Sequence, residues 1–61
     1  MELVDLYNLI TAAQNAADTH IDRAETEEQS EAWCKVVVKL GQARAALENA
    51  YGWDAVHGGK S

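Results

Sequence analysis

Glu25-Thr26-Glu27-Glu28-Gln29-Ser30-Glu31 decides the fold, because these seven residues carry no apolar side chain and separate two long amphipathic segments. Thr26 and Gln29 stand at capping-box spacing. The Thr26 hydroxyl can accept from the Gln29 N–H while the Gln29 side chain reaches back to the Thr26 N–H. A helix is therefore expected to begin near Glu27. Upstream, Leu3, Leu6, Ile10, Ala13, Ala17, Ile21 and Ala24 recur at helical spacing, which predicts a first helix over residues 2–24. Glu2 and Asp5 fall in its first turn, where the positive end of the helix dipole favours them.

Downstream, the stripe is Trp33, Val36, Val37, Leu40, Ala43, Leu47, Ala50 and Tyr51, which predicts a second helix over 27–51. Gly52 can take the left-handed position after its last turn, and Trp53 would then cover Leu47. The chain has no proline and no glycine before Gly41, so one continuous helix has to be considered. Phase argues against it. The second stripe is displaced from the first by two positions in the seven-residue repeat, about 200° around a helix, so a continuous helix would put the stripes on nearly opposite faces. A hairpin turning near Glu25–Thr26 lets them face each other, with residues whose numbers sum to about 57 as neighbours. The fold class expected is all-α, a two-helix antiparallel hairpin in residues 1–53. Residues 54–61, with Gly58-Gly59 and no periodicity, are expected to form a flexible C-terminal tail.

A chain of 61 residues removes only about 60% of its unfolded surface from water, so a lone core is marginal. Cys34 is the single cysteine, which excludes an internal disulfide and leaves no cysteine-based zinc spacing. A partner chain is the remaining remedy. Each helix carries a second apolar strip: Leu9, Ala12 and Ala16 on the first, with Tyr7 and Val4 at its edge, and Cys34, Val38, Gly41 and Ala45 on the second. These strips are the expected self-association residues of a homodimer forming an antiparallel four-helix bundle. A groove for a different protein is the competing reading of the same strips.

The formal net charge of −5 is concentrated in one place. Asp18, Asp22, Glu25, Glu27, Glu28 and Glu31 oppose Arg23 alone, whereas the rest of the chain carries four acids and four bases. Glu27, Glu28 and Glu31 suit the start of the second helix. Asp18 and Asp22 lie four apart near the negative end of the first, where they repel each other. The acidic end can be a solvated turn, or it can dock a partner with a basic or apolar patch. Trp53 can cap the hairpin or anchor in that partner.

No catalytic or cofactor constellation is legible. The acidic stretch lacks the alternating loop and glycine of a calcium site, and carboxylates on an exposed turn have no pocket to set one pKa apart. His20 reads as a packed histidine and Cys34 as a small hydrophobe. No enzyme activity, metal or cofactor is expected. Met1 precedes Glu2 and Asp5 with no basic segment, and charges cut every apolar stretch well short of about 18 residues, so a cytoplasmic protein without membrane association is expected. Lys35 and Lys39 alone make a poor phosphate track, which argues against direct nucleic-acid binding.

The function expected is that of a small acidic helical interaction module that binds and modulates another protein, in the manner of phage or mobile-element accessory proteins acting on host proteins. The alternative is a small RNA- or DNA-regulatory hairpin dimer of ROP-like architecture.

Overall fold

The computed structural model describes residues 1–58, in which three helices follow one another: α1 (Leu3–Asp22), α2 (Glu27–Tyr51) and α3 (Trp53–Val56). α1 and α2 pack antiparallel as a hairpin, and no strand occurs among the described residues. The Thr26 hydroxyl accepts from the Gln29 N–H at 3.1 Å, so α2 starts where the capping spacing places it. The Gln29 side chain reaches one residue further back than a capping box requires, accepting from the Glu25 N–H at 2.9 Å. α1 ends two residues earlier than Ala24. There the Arg23 and Ala24 amides fall back to the carbonyls of His20 and Ile21, the tight three-residue closure common in a final turn.

The inward seam differs from the purely apolar one expected. On α1 the shielded positions are Leu3, Tyr7, Ile10, Gln14, Ala17 and Ile21, continued by Ala24 beyond the helix end and flanked by half-buried Val4 and Thr11. On α2 they are Ser30, Trp33, Val37, Leu40, Arg44 and Leu47, flanked by half-buried Gly41, Ala43 and Glu48. Tyr7 and Gln14 replace Leu6 and Ala13, and Leu6 is left 43% exposed. Arg44 faces inward beside Ala43, and Val36, Ala50 and Tyr51 are exposed. The reason is polar pairing. Tyr7, Gln14, Arg44 and Glu48 satisfy one another in the seam, and this rotates each helix about its axis relative to an apolar-only interface. The register closes early as well. Tyr7 meets Glu48 and His20 meets Trp33, pairs that sum to 55 and 53, in step with the shorter α1.

Gly52 redirects the chain. Its φ of 96° and ψ of 154° lie in a region essentially restricted to glycine; its N–H still closes α2 on the Glu48 carbonyl at 2.8 Å, and its carbonyl accepts from the Val56 N–H. The segment 54–61, expected as a tail, instead begins by completing α3, whose Val56 is fully buried (0% exposed). Residues 59–61 of that segment lie outside the described residues. Trp53, expected to cover Leu47, is 64% exposed and stacks on His57 at 3.7 Å between ring centroids.

Gly52→Ala forces a Cβ into this backbone conformation and is expected to cost about 1–3 kcal/mol. Urea unfolding followed by tryptophan fluorescence reads the cost. An unchanged midpoint and an unchanged Trp53 emission would show that α3 does not depend on the glycine.

Candidate interaction surface

Among the described residues only three side chains are buried: Tyr7 at 2% exposed and Ala17 at 3% in the hairpin, and Val56 in α3. Tyr7 is the centre of the open end, where the start of α1 meets the end of α2. Its hydroxyl donates to the Glu48 carboxylate and accepts from Arg44 Nη2 at 3.3 Å. Arg44 Nη1 donates to Gln14 Oε1 at 2.6 Å, and Gln14 Nε2 donates to the Val37 carbonyl at 3.2 Å. One cation and one anion are thus joined through neutral groups, and the guanidinium also lies 5.3 Å from the Tyr7 ring centroid, in cation–π range. Arg44 Nε is buried without a hydrogen-bond partner among the described residues. The His57 ring meets Tyr7 edge-on at 5.0 Å, and Thr11 Oγ1 donates to the Tyr7 carbonyl. Tyr7 therefore couples all three helices.

At the turn end, all six expected docking carboxylates, Asp18, Asp22, Glu25, Glu27, Glu28 and Glu31, are exposed. None of their side chains makes a hydrogen bond among the described residues. His20 is exposed and stacks on Trp33 at 4.6 Å, which covers part of the indole beside the acidic turn. No group of three or more His, Cys, Asp or Glu side chains converges on a metal-sized point among the described residues. Among the described residues no helix is long and apolar enough to cross a membrane.

The expected self-association residues are in the open but do not form one strip. Leu9 (54% exposed), Ala12, Ala16, Cys34, Val38 and Ala45 are exposed, and Gly41 is half-buried, with Gln14 Nε2 3.0 Å from the place a Cβ would occupy. At about 100° per residue from the inward seam, Leu9 and Ala16 point to one side of the hairpin and Ala12 points outward. Cys34, Val38, Gly41 and Ala45 point to the opposite side.

The sides follow from the antiparallel pairing. Gln14 and Gly41 approach each other on one side, and Val4 meets Gly58 beyond α3 on that same side. The other side brings Leu6, Leu9, Ala13 and Ala16 of α1 beside Val36, Ala43 and Ala50 of α2. All of these are exposed except Ala43, which is half-buried. Sequence patterning missed this grouping because it assigned Leu6, Ala13, Val36 and Ala43 to the core. The chain matches no protein-family model, no curated protein and no solved structure.

Tyr7→Phe removes the hydroxyl and leaves both Glu48 and Arg44 short of a partner. A loss of about 1–3 kcal/mol is expected, measured by urea unfolding at fixed protein concentration. A loss below about 0.5 kcal/mol would mean that water replaces the hydroxyl at no cost.

Proposed function

We propose that this chain is a helical interaction module that pairs with itself to complete a four-helix bundle and binds and modulates another protein. The observation that carries the reading is that α2, at 25 residues the longest element, buries none of its side chains completely. An α-helix of a folded domain ordinarily buries a full stripe against a second layer. Here α2 packs on α1 along one thin seam and on the short α3 near its end, and apolar residues continue around it into solvent.

The acidic turn supports the second half of the proposal. Six exposed carboxylates against Arg23 concentrate a field at one end of a rod that measures 46 × 17 × 16 Å. Such a field speeds encounter with a basic patch and falls off with salt, so it serves recognition more than stability. Its surface residues are also free of the packing that holds the hairpin, which lets one end dock a target while the sides do something else. An accessory role of the phage or mobile-element kind, exerted in the cytoplasm on a host protein, fits a product of this size and charge.

The test uses Asp18→Asn, Asp22→Asn, Glu25→Gln and Glu31→Gln together, sparing Glu27 and Glu28 at the helix start. Immobilised wild-type chain should hold a host protein at low salt. Once that protein is purified, its association rate should fall at least about tenfold for the neutralised chain and with rising salt. Equal rates for the two chains would sink the acidic docking site, and recovery of nucleic acid in place of protein would favour the regulatory hairpin alternative.

A further inference from the structure

We infer that the side of the hairpin bearing Leu6, Leu9, Ala13, Ala16, Val36 and Ala43 is covered by a second copy of this chain, laid antiparallel so that the two acidic turns lie at opposite ends. The inference rests on the interaction-module reading and names which face pairs, with what, and in which direction.

Three observations select the face. α3 and its following turn occupy the opposite side at the open end, where His57 meets Tyr7 and Gly58 meets Val4, so a partner there would be lifted off. The chosen side has no such obstruction, and Leu6 and Leu9 stand in solvent at 43% and 54% exposed. Its area is also sufficient. α2 is about 37 Å long at 1.5 Å per residue, and the rod is 17 Å wide, which gives roughly 600 Å² in projection. A surface studded with side chains has more accessible area than its projection, and about 800 Å² per partner is the standard requirement for a stable interface.

The steric pattern is self-complementary. A two-fold axis crossing the rod near Ala13 and Ala43 lays α1 across the partner's α1 and α2 across the partner's α2. Leu9 then comes opposite the partner's Ala16, and Val36 comes opposite the stretch holding the partner's Ala46 and Ala50. Large residues meet small ones at both ends, and the alanines near the axis permit a close approach.

Charge fixes the direction. A parallel pair would bring two segments of −5 side by side, close to the screening length of about 8 Å at physiological salt. The antiparallel pair separates them by about 40 Å of helix, many screening lengths, so the repulsion vanishes.

Light scattering on a sizing column tests the face. Wild type should run at twice the 6.7 kDa chain mass, Leu9→Glu and Val36→Glu at the single mass, and Val38→Glu, on the opposite side, at the double mass. The reverse result, with Val38→Glu single and Leu9→Glu double, overturns the choice of face. A wild type of single mass at every concentration overturns self-pairing, while the acidic docking site is still judged by its own binding rates. Because an added glutamate can also weaken the hairpin, the melting temperature of wild type is measured against concentration. It should rise with concentration for a self-paired bundle, and independence from concentration overturns the proposal. Direction is read from spin labels on Glu28→Cys in a Cys34→Ala background, where a label separation of about 40 Å is expected and one below about 25 Å overturns the antiparallel arrangement.

Discussion

The Tyr7 hydroxyl is the contact on which the rest of the hairpin depends. It lies inside an otherwise thin seam, donates to Glu48 and accepts from Arg44, while its ring packs against His57 and faces the guanidinium. A polar group in a helix seam costs desolvation, but once paired it makes neighbouring registers worse, because any slip strands its partners without water. Sliding α2 past α1 by one turn would separate Tyr7 from Glu48 and Arg44 from Gln14 at once. The apolar contacts on either side, among them Ile10, Ile21, Val37 and Leu40, are non-directional and resist such a slip less. Register is therefore set by hydrogen bonds, and the apolar contacts follow from it.

The ring of the same residue helps to explain why α3 exists as an element. Four residues cannot hold a helix by their own hydrogen bonds, since nucleating one costs more than a single turn returns. α3 is held from both sides of its own turn: Val56 is buried against the hairpin and His57 is laid on Tyr7. Gly52 supplies the backbone geometry that turns the chain from α2 into α3. The rod nevertheless stays thin. Its radius of gyration is 13.6 Å, against roughly 10.5 Å for a compact domain of this length. A single layer of two helices has one seam, and beyond that seam only the short α3 adds packing among the described residues.

Much of this was legible in the sequence. The polar stretch Glu25–Glu31 marks the turn, Thr26 marks the start of α2, Gly52 its end, and the phase jump between stripes separates a hairpin from a single helix. The acidic end is legible because charge position needs no structure. The identity of the seam was not. Apolar patterning prefers Leu6 to Tyr7 and Ala13 to Gln14, and it has no means of knowing that Arg44 and Glu48 wait across the interface to pair with them. Nor could α3 be read, since four residues fall short of the window in which a period can be recognised.

A different signal was present. Positions 3, 7, 10, 14, 17, 21 and 24 alternate steps of four and three without exception, whereas the apolar stripe 3, 6, 10, 13, 17, 21 and 24 breaks that order with two successive steps of four. Strict alternation is what keeps a seam facing a neighbouring helix, and admitting Tyr7 and Gln14 restores it. The consequence reaches the outer surface. Each polar residue taken into the seam turns an apolar neighbour away from it, so Leu6 and Ala13 move outward as Tyr7 and Gln14 move in, and Val36 stays outside the α2 seam that Arg44 joins. The residues displaced in this way gather on one side of the rod because the helices rotate in the sense that antiparallel pairing imposes. The hydrogen-bonded seam and the exposed apolar side are thus two results of one rotation, and a sequence change that restored an apolar seam would bury the very residues that now line the exposed side.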